Sequence, residues 1–365
     1  MNKNLWLLIL SQVFAFTAAP VTVFLSGIIG SQFSPVKFLA TLPMALSIVG
    51  IAIFAIFAAT TAQATLLKTT DPSAVCNDGR QAAFMVSKSE SRNWFIYFEG
   101  GGAATTPDAY KKRQSRWKKP ITDGNYGLHY PIVKDFKKKG FNVVVIPYCT
   151  SDLHQGAHTN IVDGRKVYFH GRKIVEDVFN QMDADFRSAN DLVFAGYSAG
   201  AIGLGFNSDL IKKYKNTKVI VDSFWLDSES RRVRQGWTKG PWVEINKFVY
   251  GNMPKHCKGH WSACFPQRSK FISMKIKHVF PIWNIGDPYI KGDMNKVRKS
   301  IRNDIKFYNA GFSVDAEKFK VDGSQTWGHV ITANKHYTKK IDGVSVKMLI
   351  ENWLSDAGQT ALVKH

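Results

Sequence analysis

The chain has 365 residues, 45% of them hydrophobic and 13% aromatic, which is the composition of a globular protein and excludes a disordered one. A formal net charge of +21 at pH 7 favours an anionic partner, such as a polyuronate or a membrane surface, although a basic surface also aids solubility without any partner. The sequence has no zinc-finger spacing, no aromatic RNA-binding strand and no phosphate-binding glycine loop, so nucleic acid is not an expected partner.

Two apolar segments occupy the N-terminus. Residues 4–30 and 38–59 are almost continuously apolar, and each is long enough to cross a bilayer as a helix. Residues 61–64, Thr-Ala-Gln-Ala, have the small-x-small form of a signal-peptidase site. Two interpretations compete: a secretory signal cleaved after Ala64, with Met44 as the true start, or a membrane hairpin made of both segments.

The two apolar segments also resemble the first two helices of a major-facilitator transporter, with residues 30–35 as the loop between them. The transporter's remaining helices have no counterpart in the chain, so this resemblance is confined to residues 1–64. A hairpin with its N-terminus inside would leave the following domain in the cytoplasm. We assign residues 1–64 to hydrophobic targeting or membrane segments and residues 65–365 to a separate domain.

The cysteines favour export over the cytoplasmic hairpin. Cys76, Cys149, Cys257 and Cys264 form an even, sparse set, which is typical of two disulfides in an oxidising compartment. Cys257 and Cys264 enclose a short loop and are expected to pair, which leaves Cys76 with Cys149. Four reduced, buried thiols are the alternative. The expected location is extracytoplasmic, secreted or periplasmic, with the N-terminal segments as a membrane anchor if they are retained.

Residues 65–365 have the length and composition of one large α/β domain. Strands are predicted at residues 93–98, 142–146, 192–195, 219–221 and 278–283, and helices at residues 174–186, 294–308 and 346–354. Strands that alternate with helices predict a mostly parallel sheet covered by helices on both faces. Residues 228–277 lack this alternation, and we interpret them as an insertion near the active-site edge.

Residues 196–200, Gly-Tyr-Ser-Ala-Gly, are the most informative segment of the chain. They follow the predicted strand at 192–195 and lead into a helical segment, as a nucleophile elbow does. Such a turn needs small residues two positions before and after the serine, and it strains the serine backbone so that the hydroxyl stands clear of the sheet. Ser198 is therefore the candidate nucleophile, with an ordinary tight turn as the alternative.

A serine nucleophile needs an acid and a histidine, which follow it in that order in α/β-hydrolases. Asp287 is the candidate acid, because it lies in a loop directly after the predicted strand at 278–283. Its rival, Asp293, precedes a predicted helix and suits the N-cap position. Asp222 and Asp227 follow the strand that comes directly after the elbow helix, where structural hydrogen bonding is the expected role.

His329 is the candidate base. It lies in a glycine-containing loop after the candidate acid, near the C-terminus, where this chain order predicts the histidine. Glycine lets the backbone present the imidazole at the cleft. His336 lies further along in a more polar stretch and is expected at the surface.

An oxyanion hole needs backbone N–H groups from the residue after the nucleophile and from an early strand-to-helix loop. Ala199 is expected to supply the first of these groups. Gly100, Gly101 and Gly102 follow the first predicted strand, at the position of the glycine-rich loop of esterases. A flexible loop is the alternative, but three glycines directly after a buried strand have no evident structural purpose.

Several of these segments occur together in a known order. They are residues 76–79 (Cys-Asn-Asp-Gly), 98–102 (Phe-Glu-Gly-Gly-Gly), 146–149 (Ile-Pro-Tyr-Cys), 151–152 (Ser-Asp), 196–200, 222–223 (Asp-Ser), 284–287 (Asn-Ile-Gly-Asp) and 328–329 (Gly-His). The whole resembles the pectin acetylesterase and Notum family of carboxylesterases over roughly residues 75–355. The resemblance implies an α/β-hydrolase fold and ester hydrolysis without a metal or cofactor.

The resemblance also assigns the site residues. It implies a triad of Ser198, Asp287 and His329, an oxyanion hole at Gly101, Gly102 and Ala199, and a disulfide between Cys76 and Cys149. Two features depart from the family pattern. Residues 103–105, Ala-Ala-Thr, replace the usual aromatic residue after the glycines, which puts the accepted acyl group in doubt, and Tyr197 is bulkier than the usual residue before the serine.

The sequence thus predicts a serine carboxylesterase that hydrolyses acetyl esters, on a polysaccharide such as pectin, through an acyl-enzyme. One alternative is a lipid or polyester hydrolase of the same mechanism that removes a longer acyl chain. The other is a non-catalytic glycan-binding or membrane protein that keeps only the fold. The expected partners are an acetylated polysaccharide or another ester substrate, and an anionic polymer or membrane surface.

Overall fold

The computed structural model describes residues 28, 32, 36, 64–117, 120–223, 246–251, 271, 274–285, 287, 293–315, 329–356, 358 and 360–365. The pattern of contacts between residues divides the chain into two compact units, residues 1–62 and residues 63–365. The two predicted N-terminal apolar segments and most of the predicted insertion at 228–277 lie outside the described residues. In the part of the chain that is described, no helix is both long enough and apolar enough to cross a bilayer.

The described residues of the second unit form eleven strands. They are β1 (Ala64–Lys68), β2 (Ala83–Ser87), β3 (Trp94–Phe98), β4 (Asn142–Ile146), β5 (His158–Val162), β6 (Arg165–Phe169), β7 (Leu192–Tyr197), β8 (Thr217–Asp222), β9 (His278–Asn284), β10 (Gly311–Val314) and β11 (Ala361–Lys364). Strands β5 and β6 form a separate antiparallel hairpin. The other nine form one sheet in the order β1-β2-β4-β3-β7-β8-β9-β10-β11.

The large sheet is mostly parallel, as predicted. β2 pairs in antiparallel fashion with both β1 and β4, whereas every neighbouring pair from β4 to β11 is parallel. The central strands β3, β4 and β7 are buried along nearly their whole length, because helices cover both faces of a parallel sheet.

Eight α-helices lie in the described part of the chain. They are α1 (Pro107–Trp117), α2 (Pro131–Lys138), α3 (Gly171–Gln181), α4 (Asp183–Arg187), α5 (Ala199–Phe206), α6 (Ser208–Ile211), α7 (Met294–Tyr308) and α8 (Val346–Leu354). Helices α7 and α8 have the predicted bounds. The single helix predicted at 174–186 is instead two helices, α3 and α4, because the backbone leaves the helical conformation at Met182.

Alternate residues of the strands face two separate cores. In β3, Ile96 and Phe98 belong to one core with residues of α3, α5 and α7, while Phe95 and Tyr97 belong to a second core with residues of α2 and α8. This two-residue alternation follows from the pleat of a strand. The prediction of an α/β sheet with helices on both faces is therefore confirmed.

The carboxyl ends of the parallel strands gather the candidate residues at one edge of the sheet. Strand β3 ends directly before the glycine-rich loop, and β7 ends directly before Ser198. Strand β8 ends at Asp222, and β9 ends shortly before Asp287. Parallel strands place their carboxyl ends side by side, so residues far apart in sequence meet here.

Candidate active site

Ser198 lies in a sharp turn between β7 and α5. Its backbone has a φ of 50° and a ψ of −117°, a conformation that L-residues rarely adopt. The flanking glycines are needed for this turn. A Cβ atom on Gly196 would lie 2.7 Å from the Gly200 carbonyl carbon, and a Cβ atom on Gly200 would lie 2.1 Å from the Phe98 carbonyl oxygen. The segment thus has the strained geometry of a nucleophile elbow and not that of an ordinary turn.

The structure brings Ser198, His329 and Asp287 together. The imidazole Nε2 of His329 lies 2.9 Å from the Ser198 hydroxyl oxygen. Its Nδ1 atom lies 2.5 Å from the Asp287 carboxylate, which is buried. The imidazole can therefore accept a proton from the serine while the carboxylate holds its other nitrogen.

The glycine-rich loop lies against the elbow. A Cβ atom on Gly200 would approach the carbonyl oxygens of Phe98 and Glu99 to 2.1 Å and 2.8 Å, so the start of the loop touches the first turn of α5. Gly102 has a φ of 81°, and its carbonyl accepts a hydrogen bond of 2.7 Å from the Tyr148 hydroxyl. Gly101, Gly102 and Ala199 therefore lie on segments that border the candidate nucleophile.

A buried carboxylate anchors the glycine-rich loop. The sequence analysis did not predict this role for Glu99. Glu99 accepts hydrogen bonds from the hydroxyl groups of Tyr126, at 2.6 Å and 2.7 Å, and of Tyr130. The backbone N–H of Tyr148 donates to the same carboxylate at 3.1 Å. Burial, reinforced by the Glu99 charge, raises the pKa of Tyr126 and of Tyr130 well above the usual range, so both phenols remain donors.

The bulky Tyr197 is accommodated by Gly100. A Cβ atom on Gly100 would lie 2.7 Å from the Tyr197 ring, so the aromatic side chain occupies the space that a larger residue would fill. The Tyr197 hydroxyl lies 3.3 Å from that of Tyr130, which bonds to Glu99. Tyr197, which is bulkier than the usual residue at this position, therefore connects the elbow to the residues that hold the glycine-rich loop.

His154 also holds the glycine-rich loop, through the backbone of Glu99. Its Nε2 atom lies 2.8 Å from the carbonyl oxygen of Glu99. Burial lowers the pKa of His154 to about 4, so the ring is neutral at pH 7 and donates its N–H to that carbonyl. Nearby in the chain, Cys149 forms a disulfide with Cys76, which is the bridge that the family resemblance implies. Cys257 and Cys264 lie outside the described residues.

The rival acids occupy other positions. The Asp293 carboxylate accepts hydrogen bonds from the backbone of α7 at 3.0 Å and 3.4 Å, so the predicted N-cap is confirmed. The Asp222 carboxylate accepts hydrogen bonds from Ile331 and Thr332, which follow His329 in the chain. Asp227 lies outside the described residues.

The expectation that His336 is exposed was wrong. Only 2% of its surface is accessible, because it lies in a short 3₁₀ turn (Lys335–Tyr337) whose tyrosine packs into the core. Burial and the charges of Lys339 and Lys335 lower the pKa of His336. The polar residues next to His336 in the sequence predict exposure. The neighbouring Tyr337 packs into the core, however, and His336 is buried with it.

Comparison with known proteins identifies similar chains. A family model described as pectinacetylesterase matches residues 57–276. The palmitoleoyl-protein carboxylesterase NOTUM of Drosophila melanogaster is 27% identical over 332 residues, which cover 77% of this chain and 47% of that protein. The protein of the same name from Schmidtea mediterranea is 29% identical over 178 residues, covering 41% of this chain and 32% of its own length. The chain thus spans less than half the length of these curated relatives.

A solved structure shares the fold. The structure of the Wnt deacylase Notum from Drosophila superposes with a TM-score of 0.58 at 19% sequence identity. The superposition covers 83% of this chain and 97% of that one. The similarity extends over most of the chain, and it agrees with an α/β-hydrolase type of sheet.

Proposed function

The chain belongs to the pectinacetylesterase family, and we propose that it is a serine carboxylesterase that hydrolyses acetyl esters on a polysaccharide. One observation carries the proposal: the His329 imidazole is hydrogen-bonded to the Ser198 hydroxyl on one side and to the Asp287 carboxylate on the other. A serine hydroxyl is a weak nucleophile at neutral pH, and such a pair of partners activates it.

The reaction proceeds in two halves. The Ser198 oxygen attacks the ester carbonyl carbon while Nε2 of His329 takes the hydroxyl proton, and Asp287 stabilises the resulting imidazolium. Backbone N–H groups of Gly101, Gly102 and Ala199 stabilise the oxyanion. The tetrahedral intermediate collapses, and the leaving alcohol takes the proton from His329. Water, deprotonated by the same imidazole, then hydrolyses the acyl-enzyme and releases acetate.

A basic face of α7 supports an anionic polymer as the substrate. Four exposed cationic residues lie three or four positions apart along this helix: Lys296, Lys299, Arg302 and Lys306. Helix α7 connects the parallel neighbours β9 and β10, so its N-terminus lies at the edge of the sheet that carries Ser198. A polyuronate that carries acetyl esters has the complementary charge.

The length of the acyl group distinguishes two candidate functions. We propose an acetyl group, because the family model that matches this chain is described as pectinacetylesterase. The names of the curated relatives support a second candidate, hydrolysis of a long acyl ester, because they are palmitoleoyl-protein carboxylesterases.

Acetate release from acetylated pectin, xylan and chitin tests the proposal. We expect the wild type to release acetate, most rapidly from pectin, and the Ser198→Ala variant to release none above background. The same rate in both proteins would exclude Ser198 as the nucleophile and favour a non-catalytic glycan-binding or membrane protein. A strong preference for p-nitrophenyl octanoate over p-nitrophenyl acetate would contradict the proposed deacetylase and favour the long-chain acyl hydrolase.

We also propose that residues 65–365 form the esterase domain and that it acts outside the cytoplasm. The disulfide between Cys76 and Cys149 supports this location, because such bridges persist in oxidising compartments. N-terminal sequencing of the exported protein tests the proposed cleavage. A mature chain that begins at Thr65 would support it, and a chain that retains the apolar segments would contradict it.

A further inference from the structure

Asp222 is a fully buried carboxylate that the proposed mechanism does not use. It ends β8, next to the strand that carries Ser198. We propose that Asp222, together with Ser223, is a positioning residue that holds His329 in hydrogen-bond distance of Ser198. The inference deepens the proposed function and rests on it, since it assigns His329 the role of the base.

The Asp222 side chain holds the segment that follows the base. One carboxylate oxygen accepts three hydrogen bonds: from the Ile331 N–H at 2.9 Å, the Thr332 N–H at 2.7 Å and the Thr332 hydroxyl at 2.7 Å. Hydrogen bonds to an ionised acceptor are shorter and stronger than neutral ones. A single side chain therefore fixes two consecutive peptide groups just beyond His329.

Ser223 holds the residue directly after His329. Its hydroxyl donates to the other Asp222 oxygen at 2.6 Å and accepts from the Val330 N–H at 2.7 Å. Val330 has a φ of 70°, which is unfavourable for a β-branched residue and persists only where the surroundings impose it. The strained backbone beside the base is thus held by Asp222 and Ser223.

The main chain of Asp222 holds the nucleophile. Its carbonyl accepts a hydrogen bond of 2.9 Å from the backbone N–H of Ser198. One residue therefore ties the elbow through its backbone and the base segment through its side chain. The separation of the Ser198 oxygen from Nε2 of His329 is then set at the end of β8, and a displacement of about 1 Å in such a pair lowers rates by about 100-fold.

Three variants separate positioning from general stability. Asp222→Asn removes the charge and keeps the shape, and Thr332→Val removes one of the three donors. Asp177→Asn is the matched control, because Asp177 is also a buried carboxylate that anchors a loop, through hydrogen bonds from Thr70 and Asp71 of 2.9–3.0 Å. It lies in α3, and its carboxylate accepts hydrogen bonds from residues 70, 71 and 181, none of which belongs to the candidate site.

The readout is kcat/KM for two acetyl esters, ethyl acetate and p-nitrophenyl acetate. The ethoxide leaving group needs a proton from His329, whereas p-nitrophenolate leaves without one. We expect Asp222→Asn to lower kcat/KM by about 100-fold for ethyl acetate but only about 10-fold for p-nitrophenyl acetate, with KM nearly unchanged. Thr332→Val should show the same pattern more weakly, and Asp177→Asn should change the two substrates equally and by less than about 2-fold.

An equal loss of kcat/KM on both substrates in Asp222→Asn would overturn the proposal. A merely structural defect lowers the fraction of active enzyme, and it therefore leaves the ratio of kcat/KM between the two substrates unchanged. A second readout does not require activity: the low-field proton resonance of the His329 Nδ1–H bonded to Asp287, assigned with His329→Ala. It should shift or disappear in Asp222→Asn and persist in Asp177→Asn. If the wild type hydrolyses no ester, the proposed function fails, and an unchanged resonance in Asp222→Asn would then overturn the positioning role separately.

Discussion

The backbone at Ser198 depends on glycine at two neighbouring positions, and this dependence can be tested directly. Gly200→Ala would place a Cβ atom 2.1 Å from the Phe98 carbonyl oxygen, a backbone atom that cannot rotate away. We expect a loss of about 3 kcal/mol in the free energy of unfolding and loss of esterase activity, because the elbow and the glycine-rich loop must separate. Urea unfolding measures the first effect and p-nitrophenyl acetate the second.

Gly124→Ala is the control for that substitution. Its added Cβ atom would lie no closer than 3.4 Å to a neighbouring atom, which is an ordinary contact distance. Stability and activity should stay near those of the wild type. Equal losses in the two variants would mean that replacement of glycine itself, and not the overlap at the elbow, causes the defect.

His154 makes stability depend on pH. Its folded-state pKa of about 4 lies below its ordinary value of 6.5 because of burial, so the unfolded chain binds the proton more readily between these values. His154 therefore contributes stability above pH 6.5 that is lost as the pH falls through 4. Burial raises the pKa of Asp152 to about 6, so that residue acts with the opposite sign: its contribution is present below 3.8 and is lost as the pH rises through 6.

The comparison of the wild type with His154→Gln isolates the histidine, since Asp152 is present in both proteins. We expect the difference in free energy of unfolding, wild type minus variant, to shrink by up to about 3 kcal/mol as the pH falls from 7 to 4. Urea unfolding at several pH values measures it. A difference that stays constant over this range would show that the His154 pKa is not lowered.

At the scale of elements, Tyr148 braces the glycine-rich loop. Its hydroxyl donates to the Gly102 carbonyl at 2.7 Å and accepts from the Leu153 N–H at 2.7 Å. Tyr148→Phe leaves the buried Leu153 N–H without this acceptor, so we expect a loss of about 1–3 kcal/mol in the free energy of unfolding. Because the proposed oxyanion hole lies on this loop and would act on the transition state, kcat should fall while KM stays the same. A rise in KM with unchanged kcat would contradict this role.

Helices and central strands could be predicted from local patterns in the sequence. Helix α7 has an acidic cap at Asp293 and an amphipathic repeat, and β4 is a short apolar run that ends before a proline; both have the predicted bounds. The β5–β6 hairpin was missed although Asp163 and Gly164 mark its turn, with φ values of 48° and 72°. Its strands carry polar residues, so the alternation of apolar side chains is weak.

The residues around the catalytic candidates were harder to predict than the candidates themselves. Ser198, Asp287 and His329 each follow a strand or lie in a glycine-containing loop, which are local signals. Glu99 and its tyrosine partners are brought together only by the fold, because strand order decides which loops meet. The hydrogen bonds of Asp222 likewise join residues that are far apart in sequence, and no short-range pattern indicates them.

At the scale of the whole molecule, the chain has a net charge of +21, and four of its exposed cationic residues lie along α7. Lys299→Glu combined with Arg302→Glu reverses two charges on its exposed face. We expect KM for acetylated pectin to rise by about 10-fold at low salt, with no change for p-nitrophenyl acetate, because only the polymer reaches this helix. Added salt should reduce the difference between variant and wild type. An equal effect on both substrates would show that the substitutions disturb the site and not polymer binding.

In the proposed mechanism, Ser198 carries the acyl group during ester hydrolysis. Rapid acid quenching after the addition of p-nitrophenyl acetate, followed by mass spectrometry of proteolytic peptides, measures this directly. We expect a single acetyl group on the peptide that contains Ser198 in the wild type and none in Ser198→Ala. An acetyl group on another residue, or turnover of the ester at the wild-type rate in Ser198→Ala, would contradict it.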